Sequence, residues 1–331
     1  MKPERVYYEP KALDYPLGRQ LYEQFAGVEW IPIENHNNIE ELRTNPNDAF
    51  AQMKRFLVIG VRKSLRYTPN HKVSDYLVPY TSSGCTAMCL YCYLVCHYNK
   101  CAYLRLFVNR EEMMQKMIRT AASEDKEPVF EIGSNSDLVL ENTITGNLVW
   151  TIEQFCASQR GRLTFPTKFD MVEPLLSLNH NGRVIFRMSV NPQEVINAVE
   201  LGTSPLKARI RALNRMCEAG YEVGLLIAPI VLVEGYRKKY AALIEQLGTE
   251  LTEKTKKKLV IEIIFMTYSF VHRAINNDAF PKAVELYDTS LMTVRGRGRY
   301  CYRENVRAEV EAFLRAELEE HLPGVPILYV V

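Results

Sequence analysis

The sequence predicts an α/β fold in which a mainly parallel sheet forms an open, partial barrel. Two observations carry this. From about residue 56 onward, short apolar runs alternate with amphipathic segments, which is the rhythm of βα units. Each unit takes roughly 25 to 40 residues, the size of a barrel repeat, and the run of units falls short of a complete (β/α)8 barrel. A partial barrel leaves a lateral mouth.

The elements are expected in this order. Residues 1–50, which include NHNNIEELRTNPND, read as a small lobe packed on the barrel. Strands follow at FLVIGV, DYLVPY, YLRLFV, VFEIGS, RLTFPTKF, RVIFRMSV, EVGLLIAPIVLV and KLVIEIIFMTY, each a short β-branched or aromatic run bounded by polar or turn residues. Between them the 3.6-residue pattern predicts helices over 110–123, 147–158, 192–201 and 204–219, with Ser204 and Pro205 as N-cap and first-turn residues. Residues 51–280 form the barrel. Residues 281–331 form an extension made of a basic hairpin, an amphipathic helix over 305–321 and the strand PILYVV.

The chain has 331 residues, 47% hydrophobic and 24% charged, with a net charge of +2. No apolar run approaches the roughly 20 residues that span a bilayer, and the start MKPERVYYEP has no signal-like apolar core. A cytoplasmic protein without a membrane partner is expected. The small net charge excludes an indiscriminate nucleic-acid binder, so any such contact is local. Lys254, Lys256, Lys257 and Lys258 read as a solvated helix end, where the helix dipole favours cations. Arg295, Arg297, Arg299 and Arg303 alternate through VRGRGRYCYR. With Tyr300 beside them, arginines on a hairpin suit either a phosphate clamp with aromatic support or a merely solvated hairpin.

The sharpest signal is GCTAMCLYCY, which places Cys85, Cys89 and Cys92 within eight residues of a chain holding 8 cysteines in all. Such spacing arises by chance in roughly 0.5% of chains of this composition. Three thiolates on a short loop hold three irons of a four-iron cluster and leave the fourth open, a catalytic arrangement. A structural zinc site closed by Cys96 or His97 is the alternative. An oxidising compartment would scramble so dense a cysteine loop. At the C-terminal ends of successive strands, where barrel active sites lie, fall Ser134, Asn135, Ser136, Asp137, Lys168, Ser189, Asn191 and Glu234.

A CxxxCxxC loop early in a βα barrel resembles the radical S-adenosylmethionine enzymes. The wider set YYEPKALDYPLGRQL, LVIGVRKSLRY, FVNREE, FEIGSNSD, TKF, FRMSVN, GTSPL, AGYEVGLLIAPIVLVEG and GRGRYCYRE, in order along nearly the whole chain, resembles the spore photoproduct lyase family. The resemblance implies a partial (β/α)6-type radical SAM barrel and a 4Fe-4S cluster on Cys85, Cys89 and Cys92. S-adenosyl-L-methionine on the open iron would supply a 5′-deoxyadenosyl radical to a thymine lesion, 5-thyminyl-5,6-dihydrothymine, and revert it to two thymines. By motif position Ser136, Lys168, Ser189 and Ala228 would hold the cofactor, and Tyr91 or Tyr93 would contact its adenine or carry hydrogen. Arg295, Arg297, Arg299 and Tyr300 would meet UV-damaged DNA. A one-electron donor such as flavodoxin or ferredoxin, a monomer and residence in a spore core are implied as well.

One departure matters. Many family members carry a cysteine in the segment matching FEIGSNSD that returns the closing hydrogen atom, and this chain has Ser134. An alcohol O–H bond is too strong for that task, which leaves Cys96 and Cys101 as the nearest candidate donors in sequence. Cys156 and Cys217 read as structural, and Cys301 lies in the hairpin. A related radical enzyme with another nucleic-acid or small-molecule substrate is the alternative function.

Overall fold

The computed structural model describes residues 2–94, 103–158 and 160–331; Cys96, His97 and Cys101 lie outside them. In chain order its strands are β1 (Arg5–Tyr8), β2 (Glu29–Pro32), β3 (Phe56–Gly60), β4 (Thr68–Pro69), β5 (Tyr76–Val78), β6 (Ser82–Ser83), β7 (Met88–Cys89), β8 (Leu104–Phe107) and β9 (Val129–Ile132). They continue with β10 (Arg162–Thr167), β11 (Val184–Val190), β12 (Glu200–Leu201), β13 (Glu222–Ile230), β14 (Val260–Phe265), β15 (Thr267–Ser269), β16 (Met292–Gly296), β17 (Arg299–Tyr302) and β18 (Ile327–Val330). Two compact units divide the chain: residues 1–86, 94–167 and 171–185 form one, and residues 87–93, 168–170 and 186–331 the other. The boundaries expected at 50 and 280 fall inside these units.

In the first unit, β3 runs parallel to β1 and β8, and β2 extends the sheet beyond β1. The N-terminal stretch is thus built into the barrel-type sheet through β1 and β2. Its reason is visible in β3: FLVIG is buried along its whole length, so both of its edges and both of its faces need cover. Val6, Leu17, Leu21, Leu57, Ile59, Leu104 and Leu106 share one core. Gly18, in the helix Pro16–Gln24, lets that helix approach the Ala12 carbonyl, since a Cβ there would stand 1.8 Å from the oxygen. A second group, β10, β9, β5 and β4, is parallel except at the β4 edge. The helices Arg110–Ser123 and Asn147–Ala157 stand where the sequence placed them.

In the second unit β14 runs parallel to both β13 and β18. Within this sheet the guanidinium of Arg187 forks onto Glu262 with two bonds of 2.8 Å, the bidentate geometry that makes a buried ion pair tolerable. The helix expected over 192–201 ends at Val199, and Glu200–Leu201 becomes β12, antiparallel to β7. Ser204 does not cap the next helix. Its hydroxyl donates to Asp170 Oδ1 at 2.6 Å, and Pro205 takes the N-cap position of Leu206–Glu218 with no side-chain cap. The predicted hairpin is β16–β17, and β15 adds a third antiparallel strand.

Candidate active site

Four of the expected cofactor residues converge in the second unit. The Lys168 ammonium donates to Ser189 Oγ at 2.6 Å, to Glu200 Oε1 at 2.9 Å and to the Ala228 carbonyl at 2.8 Å. An ammonium has three N–H donors, so its donors match these three acceptors. Ser189 passes its own proton to the same Ala228 carbonyl at 2.7 Å. Ala228 therefore contributes through its backbone oxygen, at the C-terminal part of β13. Tyr91, between two of the cysteines, donates its phenol proton to Glu200 Oε1 at 2.5 Å.

Glu200 is the residue that sequence reasoning missed. It is 1% exposed and also accepts from Asn191 Nδ2 at 2.8 Å. Arg209 Nη2 stands 2.7 Å from its other oxygen, as an ion pair out of line for a hydrogen bond. Burial alone would raise its pKa, but Lys168 and Arg209 outweigh burial and bring it down to about 2. The ionised carboxylate acts back on its neighbour: burial, then the charges of Glu200 and Cys89, push the Tyr91 phenol well above its ordinary range. Asn191 is held in turn by the Tyr240 phenol, which donates to Asn191 Oδ1 at 2.9 Å. A periodic apolar run ending in Glu gives no local sign of this hub.

Cys89 lies on β7, and its strand partner on β12 is Glu200. The Leu90 amide continues the pairing to the Val199 carbonyl at 2.9 Å. The cysteine segment is thus stitched to Glu200 by backbone and by side chain. Tyr93 is 48% exposed.

Ser136 and Cys85 belong to the first unit. Ser136 donates to Ser82 Oγ at 2.5 Å, and Ser82 spends its proton on the buried Glu141 at 2.7 Å. Burial raises the Glu141 pKa despite four side-chain donors. Asp137 caps the helix Leu138–Thr145 by accepting from the amides of Val139 and Leu140, and Thr167 donates to it at 2.8 Å. The Cys85 carbonyl accepts from Lys54 Nζ at 2.8 Å. Ser134 sits half-buried in the turn after β9, and Glu234 is exposed.

Cys85, Cys89 and Cys92 are half-buried thiols outside any disulfide, whereas Cys156 and Cys217 are buried. Among the described residues no group of three or more His, Cys, Asp or Glu side chains is drawn together as a metal-binding set. The donor chemistry, three soft thiols and no histidine or carboxylate within the eight-residue run, suits iron–sulfur ligation. Cys96 and Cys101, the candidate donors, lie outside the described residues.

The hairpin β16–β17, backed by β15, forms a complete arm. Arg295, Arg297 and Arg299 are exposed, and among the described residues no carboxylate pairs with them. The turn places Gly296, Arg297 and Gly298 at positive φ of 88°, 52° and 69°. Gly298 is required twice over, because a Cβ there would stand 2.0 Å from the Phe270 ring. Tyr300 packs on Tyr287 with ring centroids 4.4 Å apart. Arg303 donates to the Thr289 carbonyl at the base of the arm. Val294 and Phe270, 66% and 57% exposed, are apolar side chains of this region. The lysines near 256 behave as expected: Lys254 pairs with Glu218 and Lys256 with Glu253. No helix of the described residues is long and apolar enough to cross a membrane.

The profile of the family described as spore photoproduct lyase matches residues 1–331. The spore photoproduct lyases of Geobacillus sp. (strain Y412MC61) and Bacillus subtilis (strain 168) are each 33% identical over 337 residues, covering 99% of this chain and 98% of theirs. That of Clostridium acetobutylicum is 30% identical over 340 residues. A solved spore photoproduct lyase complexed with dinucleoside spore photoproduct superposes with a TM-score of 0.91 at 31% identity, covering 99% of both chains. A variant with bound AdoMet and dinucleoside spore photoproduct matches equally well. The likeness extends to the fold class, α/β with a curled half-barrel sheet.

Proposed function

Because the chain belongs to the spore photoproduct lyase family, we propose that it is a DNA-repair lyase that reverts the spore photoproduct to two thymines by radical chemistry. Cys85, Cys89 and Cys92 are the iron ligands of a 4Fe-4S cluster in this reading. Bound together and reduced by a flavodoxin or ferredoxin, cluster and S-adenosylmethionine supply a 5′-deoxyadenosyl radical. The enzyme works as a monomer on UV-damaged DNA in the cytoplasm of the spore.

The cluster in which Lys168 and Tyr91 both bond Glu200, the strand partner of Cys89, while Lys168 also gathers Ser189 and the Ala228 carbonyl, carries the reading. These residues hold a cation, a hydroxyl and a ring ready beside the cysteine segment, and Glu200 keeps the cation and the ring in place before any ligand arrives. Lys168 receives the cofactor carboxylate by exchanging one of its present acceptors, a charge-assisted bond that fixes the methionine end. Ser189 and Ser136 add polar contacts. Tyr91 and Tyr93 serve the adenine or hydrogen transfer. Arg295, Arg297, Arg299 and Tyr300 grip the DNA backbone around an extruded lesion.

Anaerobic reconstitution, iron analysis and assay on a dinucleotide carrying the lesion test this directly. Thymine release dependent on S-adenosylmethionine is the expected outcome. Stoichiometric zinc in the purified protein, or 5′-deoxyadenosine without thymine, overturns it.

A further inference from the structure

The helix Phe270–Ala279 has a use that the reading above does not absorb. It begins where the arm ends. In β15 Ser269 pairs with Arg299 of the arm and Tyr268 with Tyr300, and the Phe270 amide donates to the Gly298 carbonyl at 3.3 Å. Ser269 is the N-cap, and His272 at N3 completes a capping box.

That box fixes the tautomer of His272. Its Nδ1 accepts the Ser269 amide proton at 3.2 Å, so Nε2 carries the ring proton. Nε2 donates to the Cys92 carbonyl at 2.6 Å. One turn on, on the same helix face, Asn276 Nδ2 donates to the Leu90 carbonyl at 2.8 Å and to the Tyr268 phenol oxygen at 2.9 Å. The Tyr268 ring stacks on His272 at 5.5 Å and 12°. His272 is 4% exposed and Tyr268 2%, and Asn276 is half-buried. The strand that carries the arm and the two carbonyls flanking Tyr91 are therefore held by one short, largely buried set of side chains.

We propose that His272 and Asn276 are positioning residues that couple the DNA-binding arm to the cysteine segment, so that engagement of damaged DNA by the arm changes the placement of residues 90–92. The proposal rests on the repair reading. Networks of this kind transmit a change only if the connected element responds as a unit, and that response is measurable without any cluster.

The experiment uses metal-free full-length protein and an oligonucleotide carrying the lesion. Iodoacetamide alkylation of Cys89 and Cys92 is followed by mass spectrometry with and without the oligonucleotide, and oligonucleotide affinity is measured in parallel. In the wild-type chain, binding shifts the alkylation rate of these two cysteines. His272→Phe and Asn276→Ala keep the affinity and lose the shift, whereas His272→Gln, which retains an acceptor for the cap and a donor for the Cys92 carbonyl, restores it. In the cluster-loaded enzyme the same two variants lose the stimulation of S-adenosylmethionine cleavage by lesion DNA, by about 10- to 100-fold as for other outer-sphere partners. A shift that survives in both variants, or a wild-type chain that binds DNA with no shift, overturns the coupling. Absence of lesion binding by the wild-type chain overturns the repair reading instead. Asn276→Ala leaves the capping box intact, so it carries the test if His272→Phe does not fold.

Discussion

The Tyr91 phenol donates to the Glu200 carboxylate at 2.5 Å, and the backbone partner of Glu200 across β7–β12 is Cys89. One buried glutamate thus holds the cysteine segment twice, by strand pairing and by its side chain, while its charge is matched by Lys168 and Arg209.

Removing that charge exposes how much depends on it. Glu200→Gln leaves Arg209, 0% exposed, as an uncompensated buried cation, at a cost of roughly 3–5 kcal/mol. Glu200→Gln combined with Arg209→Met recovers only part of it, because Lys168 keeps no carboxylate and the Ser189 and Ser204 carbonyls lose their Arg209 donors, as denaturant unfolding of the metal-free protein will read. Since the Glu200 carboxyl lies at about 2, below its ordinary 4.5, its stabilisation is complete above the unfolded value and fades as pH falls from there towards the folded one.

Lys168→Met deprives Glu200 and the Ala228 carbonyl of their shared donor and removes the cation proposed for the cofactor carboxylate. Weakening of S-adenosylmethionine binding by about 10- to 100-fold is expected, the equivalent of one charged hydrogen bond of about 1.5–3 kcal/mol. Equilibrium dialysis of the reconstituted protein reads it, and unchanged affinity removes Lys168 from the cofactor site.

On the arm, Arg297→Ala and Arg299→Ala each take away one exposed guanidinium without disturbing an ion pair among the described residues. Each lowers the slope of log affinity against log salt by about 1 on duplex DNA, the signature of a lost phosphate contact. Titration of lesion-bearing duplex at several salt concentrations shows this. Gly298→Ala acts differently: at a φ of 69° the added Cβ strains the turn and the exposed Phe270 ring must swing aside, so the fold of the arm suffers first.

Acid sensitivity also has a source in the first unit. Burial would raise the Glu9 pKa, but donation by the Val61 and His36 amides brings it below 4.5, and burial holds His36 below 6.5 despite the neighbouring carboxylate. Both folded values are depressed, so the stability they contribute is whole above 6.5 and declines as pH drops, first through the histidine and then through the carboxyl. Melting temperature should fall steadily from neutral to pH about 4. His36→Gln removes the upper part of that decline and leaves the lower.

Much of this architecture was legible in the sequence because burial writes itself locally. β3, β8, β9, β11 and β14 are short, mostly apolar runs rich in β-branched and aromatic residues, and the GRG turn with flanking Tyr and Arg announces the arm. What stayed hidden are side chains whose partners come from far along the chain. Glu200 follows VINAV and reads as one more helical residue; only β7, 111 positions upstream at Cys89, makes it a strand residue and a hub. Ser204 has the sequence context of a cap, yet Asp170 competes for its hydroxyl and wins. His272 stands three residues after Ser269 and completes a capping box where Glu or Gln is usual, so neither the box nor the Cys92 carbonyl it serves was legible in the sequence.

The remaining question is chemical: which bond supplies the closing hydrogen atom. Ser134 stands half-buried in the turn after β9, where the family resemblance places a thiol, and its O–H bond is too strong to give up a hydrogen atom to a carbon radical. The nearest candidate donors in sequence are Cys96 and Cys101, acting directly or through Tyr91 or Tyr93. Replacing the responsible one with Ala leaves lesion opening intact and diverts the product radical into adducts, because opening precedes hydrogen return. Adding Ser134→Cys to that variant should restore clean thymine, since the thiol differs from the serine hydroxyl by one atom and stands where the family resemblance places it. Product analysis by liquid chromatography separates the outcomes. Clean thymine from both alanine variants excludes the two cysteines, and adducts that persist after Ser134→Cys place Ser134 out of reach of the substrate radical.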